Sequence, residues 1–137
     1  MTRPLAVPGG TLALDSEGLA KAVLRDREVT AWLALARAED MRVITSAVTL
    51  VEVVHPRIKR TALHWTLSRI VIEPVTEHIA RCASDLLAEV GLHGHKHAID
   101  AMFCATALSA PGPVTALTSD PEDIAALCGE HVTVIKV

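Results

Sequence analysis

The sequence predicts an α/β protein, a three-layer α/β/α sandwich around a mainly parallel sheet. Three observations carry that expectation. Short apolar runs alternate along the chain with longer segments of helical period, the pattern of strand, crossover and parallel strand. Half of the 137 residues are hydrophobic, yet Trp32, Trp65 and Phe103 are the only aromatics, so Ala, Val, Leu and Ile must fill the core, which suits helices on a buried parallel sheet. Acids follow two of the apolar runs, at the strand ends where an open α/β sheet binds its ligands.

Taken in order, residues 1–10 read as a flexible leader and 11–137 as a single domain. The leader has no apolar core long enough for a signal peptide. Thr11 to Leu14 is a first strand, ended by Asp15-Ser16, a helix-starting pair. A short helix over about 17–23, the charged turn Arg25 to Glu28, and a second helix to about Ala38 follow. Arg42 to Thr45 is the second strand. Thr45 or Ser46 can cap a helix over 47–54 that carries Glu52 among Val51, Val53 and Val54. Pro56 breaks it, and 57–68 reads as a basic helix. Residues 70–75 form a third strand, placed at a sheet edge because Pro74 cannot donate to a ladder. Residues 77–90 form an amphipathic helix with Ile79, Ala83, Leu86, Leu87 and Val90 inward. A loop with Gly91, Gly94 and three histidines leads to a helix opened by Asp100. Pro111-Gly112-Pro113 breaks the following uncharged stretch, so that it gives a helix, a turn and the strand 114–118 in place of a membrane span. A helix over 120–127 and a strand over 132–137 complete the chain.

The net charge of −3 argues against coating nucleic acid through bulk positive charge and leaves a local basic patch open. Cys82, Cys104 and Cys128 are odd in number, far apart and without a CxxC pattern, so they read as reduced core residues of a cytoplasmic protein.

The informative residues are four acids. Asp100 opens a helix that runs without charge from Ala101 to Ser119, and a carboxylate at the mouth of so apolar a segment needs compensation. Asp15 and Asp120 end strands. Glu52 sits in mid-helix, where capping cannot explain it, with His55 as its one cationic neighbour at helical spacing. Two carboxylates 4 Å apart repel by roughly 4 kcal/mol at an effective dielectric of 20, so four around one crevice imply a shared cation. Oxygen ligands suit Mg²⁺ or Mn²⁺, which leave coordination positions for phosphate, and the chemistry that follows is phosphodiester hydrolysis. The competing reading is capping. Asp120-Pro121-Glu122-Asp123 has the form of an N-cap, a first-turn proline and two acids favoured by the helix dipole, and Asp15 or Asp100 can also cap.

Leu14-Asp15-Ser16, Val48-Thr49-Leu50-Val51-Glu52-Val53, Ala98-Ile99-Asp100-Ala101 running into Ala105-Thr106-Ala107-Leu108, and Leu117-Thr118-Ser119-Asp120, in this order and spacing, resemble the PIN-domain family. The likeness is greatest to the VapC-type toxins of bacterial toxin–antitoxin pairs. The resemblance covers the chain from Thr11 on and implies a PIN-like nuclease domain. The activity implied is that of an endoribonuclease with Mg²⁺ or Mn²⁺ held by Asp15, Glu52, Asp100 and Asp120. It further implies a homodimer and a co-encoded antitoxin that reaches into the acidic pocket. Thr118 matches the family's hydroxyl residue beside the site, and Asp123 is a candidate further ligand. The chain departs from the family at Glu17-Gly18, where small and aliphatic residues are usual, and at Pro121, which leaves open whether Asp120 or Asp123 reaches the ion.

Arg57, Lys59 and Arg60, with His64, form the densest basic segment and are candidates for the RNA backbone, with Trp65 as a stacking surface. His93, His95 and His97 alternate, but a structural zinc site wants four ligands and no cysteine is near, so they read as a loop beside the pocket from which His97 or Lys96 meets substrate phosphate. Two rivals to the nuclease are a receiver-like signalling domain, disfavoured because the third strand ends in Glu73-Pro74-Val75 and not in a phosphoacceptor, and a catalytically idle PIN-like module that only binds protein.

Overall fold

The computed structural model describes residues 9–54 and 56–137. Residues 1–8, most of the expected leader, and His55, the expected cationic neighbour of Glu52, lie outside them. The described residues form a five-stranded sheet in which every pairing is parallel: β1 (Thr11–Leu14), β2 (Arg42–Ser46), β3 (Val71–Glu73), β4 (Val114–Thr118) and β5 (Val132–Lys136), in the order β3-β2-β1-β4-β5. Seven α-helices pack on it: α1 (Ser16–Val23), α2 (Arg27–Ala38), α3 (Leu50–Val53), α4 (Arg60–Leu67), α5 (Glu77–Val90), α6 (Gly94–Ser109) and α7 (Pro121–Cys128). No helix among the described residues is long and apolar enough to cross a membrane.

Strand alternation divides the core into two layers. Leu12 and Leu14 of β1 and Leu117 of β4 face α1 to α4, packing with Leu19, Val29, Val53 and Leu63. Ala13, Ala116, Val114 and Val132 face the other way, against Ile79 of α5, Phe103 and Cys104 of α6, and Ile124 and Leu127 of α7. The small residues on that second face admit α6 close to the sheet. Cys104 and Cys128 are buried there as free thiols, while Cys82 is half-buried.

Where Gly9 and Gly10 meet the sheet, the chain is already tightly packed. Gly10 has φ 80°, accepts from the Arg42 amide, and a β-carbon on it would lie 2.1 Å from the Pro113 carbonyl oxygen. Only glycine fits this approach.

Several expected elements change length. The helix expected over 47–54 is a 3-10 turn (Ala47–Thr49) followed by one α-turn, because Ser46 caps Val48 and the Thr49 hydroxyl donates back to the Ser46 carbonyl. The basic helix begins at Arg60, three residues later than expected, and β3 is confined to 71–73 at the sheet edge. The largest correction concerns the histidines. His95 and His97 belong to the first turn of α6, which starts at Gly94 and so includes most of what reads as a loop in the sequence. Packing of α6 against α5 supports a turn whose own residues favour no particular structure.

Candidate metal centre at the switch point of the sheet

Neighbouring strands on the two sides of β1 run in opposite directions of sequence order, so the sheet's topological switch lies between β1 and β4. In register, Leu14 stands beside both Thr45 and Leu117, so Asp15, Ser46 and Thr118 leave their strands at one level. The crevice beyond those ends receives the N-terminal turns of α1 and α7. The first turn of α6 comes in from the second layer.

Asp15 is both cap and site residue. Its Oδ1 accepts the Gly18 amide at 2.8 Å, capping α1, while the side chain is only 8% exposed. Burial pushes its carboxyl above the ordinary carboxylate value, and the Gly18 amide and Thr118 hydroxyl pull in the opposite direction. The Thr118 hydroxyl oxygen accepts from the Asp120 amide at 2.9 Å, so its own proton is directed elsewhere, and Asp15 is the acceptor beside it.

Asp100, half-buried in α6, is the electrostatic centre. Burial raises its carboxyl to about 6, and the negative charges of Asp120, Asp123, Asp15 and Glu52, in that order, push the same way. The other three acids named from the sequence, and Asp123, therefore lie near enough to Asp100 to act on its charge. Their burial is uneven. Asp15 is buried and Asp100 and Asp123 are half-buried, whereas Asp120 and Glu52 are exposed. Glu52 is exposed because α3 is a single turn on the surface, where Val51 and Val54 are also 77% and 53% exposed. Apolar neighbours in the sequence do not signal burial here.

Capping does not account for Asp120. It occupies the N-cap position of α7 ahead of Pro121, but its carboxylate accepts no cap hydrogen bond, with φ −122° and ψ 67° at that residue. Its side chain is left free for the crevice. Asp123, one turn into α7, brings a carboxylate oxygen within 4.8 Å of one of Asp100. A further residue joins them: ligating atoms of His97, Asp100 and Asp123 all lie within 4.8 Å of one another. His97 is the member the sequence does not assign to the ion, since its place in a helix is what aligns it with Asp100.

The basic segment divides. Lys59 and Arg60 are exposed at the start of α4, the helix end nearer the carboxyl edge of the sheet, and Arg57 is exposed in the preceding turn. Trp65 lies toward the other end of α4, 55% exposed, with the Arg25 and Arg69 guanidinium carbons 5.8 and 5.0 Å from its ring centre. A cavity of about 580 Å³ beside it, lined by Leu33, Arg37, Met41, Arg42 and Trp65 among others, opens at the amino-terminal ends of β2 and β3 and contains none of the acids. The acids and this hollow are at opposite ends of the sheet.

No protein-family model and no curated protein matches the sequence. Solved structures do match the fold. A chain of VapBC2 from Rickettsia felis, bound to a DNA fragment from its promoter, superimposes with a TM-score of 0.70 at 16% identity, over 93% of this chain and 98% of that one. A chain of DNA-bound VapBC from Salmonella typhimurium gives 0.63 at 16% identity, covering 92% and 97%. FitAcB from Neisseria gonorrhoeae gives 0.58 at 23% identity, covering 90% and 96%. At such identities the likeness shows the fold, and that fold agrees with the VapC-type PIN resemblance carried by the sequence.

Proposed function

Taking the PIN-type fold as premise, we propose that this chain is a Mg²⁺- or Mn²⁺-dependent endoribonuclease, the toxin of a toxin–antitoxin pair. The observation that carries the reading is the convergence of four carboxylates, those of Asp120, Asp123, Asp15 and Glu52, on that of Asp100, at the switch point of the sheet. An acid cluster of this kind, in a crevice, wants a hard dication, and the donor set fits one: oxygens of Asp15, Asp100, Asp120 and Asp123 within the crevice, Glu52 at its rim. When bound, such an ion supplies Lewis-acid stabilisation of the charge that grows on an attacked phosphate.

The remaining work falls to the chain itself. Gly18 and Thr118 hold the Asp15 carboxylate in one orientation, which makes Thr118 a positioning residue of the site. Burial first, and then the neighbouring acids, raise the Asp100 carboxyl to about 6, so that at neutral pH it is mostly ionised and could serve as a ligand. Lys59 and Arg60, with Arg57, supply positive charge toward the strand ends and would track the RNA backbone through a salt-sensitive contact. The chain would act in the cytoplasm as a homodimer, restrained by a co-encoded antitoxin that reaches the acidic pocket.

The test is cleavage of structured RNAs by the purified chain with and without Mg²⁺ or Mn²⁺. Cleavage that requires the ion and is lost in Asp100→Asn is the expected result. Cleavage by Asp100→Asn equal to that of the unmodified chain overturns the reading, and so does a stable partner complex with no cleavage in the free or bound state.

A further inference from the structure

We propose that His97 is itself a ligand of the ion, completing with Asp100 and Asp123 a mixed nitrogen and oxygen set that favours Mn²⁺ over Mg²⁺. This rests on the reading of the acid crevice as a metal centre and adds a selectivity that carboxylates alone do not provide.

Three features of the chain place His97 in that role. It precedes Asp100 by three residues in α6, and residues at i and i+3 share a helix face. Its backbone departs from the helix at φ −114° and ψ 16°, a kink inside α6 that does not end the helix. Its imidazole is only 12% exposed, although the flanking His95 and Lys96 are exposed, and Nδ1 stands 3.7 Å from Asp123 Oδ2. That separation is too long for a hydrogen bond. It is close to what two donors show when each is held about 2.1 Å from one ion, roughly 3 to 3.5 Å apart.

The donor type then decides the ion. Mg²⁺ is hard, keeps oxygen ligands and resists imidazole, whereas Mn²⁺ accepts an imidazole nitrogen among carboxylates. A His-x-x-Asp pair on α6 facing Asp123 on α7 is thus a site in which one residue sets metal preference while the acids set affinity. A merely electrostatic His97, pairing as a cation with Asp123, makes the opposite prediction, since its removal would strengthen binding of either ion.

The full chain, stripped with EDTA, is titrated with MnCl₂ and with MgCl₂ by calorimetry, alongside His97→Asn, His95→Asn and Asp100→Asn. His97→Asn is expected to weaken Mn²⁺ at least about ten-fold and Mg²⁺ less than about three-fold, with His95→Asn unchanged. In pulsed electron paramagnetic resonance of the Mn²⁺-loaded chain, nitrogen coupling is expected in the unmodified protein and in His95→Asn. Absence of that coupling, an equal loss for both ions, or tighter binding by His97→Asn overturns the proposal, and the resonance experiment decides even where the variant fails to fold. Loss of both ions in Asp100→Asn with unchanged binding in His97→Asn removes His97 alone; unchanged binding in Asp100→Asn removes the metal centre.

Discussion

A β-carbon placed on Gly18 would stand 2.8 Å from the carbonyl oxygen of Leu117. This contact between the first turn of α1 and the end of β4 fixes the depth at which Asp15 sits in the crevice, since the Gly18 amide holds its carboxylate. A larger residue at position 18 has nowhere to go.

Gly18→Ala therefore runs against propensity. In an open helix the change would stabilise by about 1 kcal/mol. Here the obstacle is backbone, and the overpacking should reverse the sign, destabilising by about 1 to 3 kcal/mol. Urea unfolding of the metal-free chain measures it, and a gain in stability would show that α1 can retreat from β4 freely.

Asp100 gives a pH dependence whose sign follows from its raised carboxyl. Between the ordinary value of 3.8 and about 6 the folded chain retains a proton that the unfolded chain has lost. Stability of the metal-free protein should fall as pH rises through that window, with the penalty fully present above about pH 6. The shift corresponds to about 3 kcal/mol, which solvent screening of a half-exposed group reduces to about 1 kcal/mol. Asp100→Asn should remove it, raising the melting temperature at pH 8 in EDTA and flattening the profile. An unchanged profile would mean that the acids do not act on one another.

Asp15 and Asp120 should separate cap from site. Asp15→Asn keeps an acceptor for the Gly18 amide and removes a buried charge, whereas Asp15→Ala leaves that amide unmatched, so the alanine variant should be less stable than the asparagine variant by about 1 kcal/mol. At Asp120, whose carboxylate caps nothing, alanine and asparagine should agree within about 0.5 kcal/mol. Thermal melts in EDTA compare the two pairs. A large Ala–Asn gap at Asp120 would restore the capping explanation.

Thr45 and Thr49 carry a buried network beside the same strand ends. Thr45 Oγ1 donates to the Leu14 carbonyl at 2.7 Å, Thr49 Oγ1 donates to the Ser46 carbonyl at 2.8 Å, and the two hydroxyls are 2.8 Å apart. Two protons serve three short contacts, so the network has no spare donor. Thr45→Val should cost about 1 to 3 kcal/mol by leaving acceptors without a donor, read from the denaturation midpoint at constant slope. No loss would mean that the Leu14 carbonyl is satisfied without it.

Much of the architecture is legible in the sequence because strands of a parallel sheet are short, apolar on both faces and bounded by helix signals. The run Thr11 to Leu14 ending in Asp15, and Val114 to Thr118 before Asp120, mark the strand ends, and Pro74 marks the edge. What the sequence cannot carry is the relation between helices. The first turn of α6 has glycine and histidine where a loop is equally natural, and only packing against α5 makes it helical, which is what aligns His97 with Asp100. Whether Asp120 or Asp123 comes nearest to Asp100 depends on the rotation of α7, and the exposure of Glu52 on the length of a one-turn helix. Periodicity and residue type act within a segment and so determined the order of elements and the identity of the acids. Distances between acids arise from how segments pack, and these the tertiary structure alone decided.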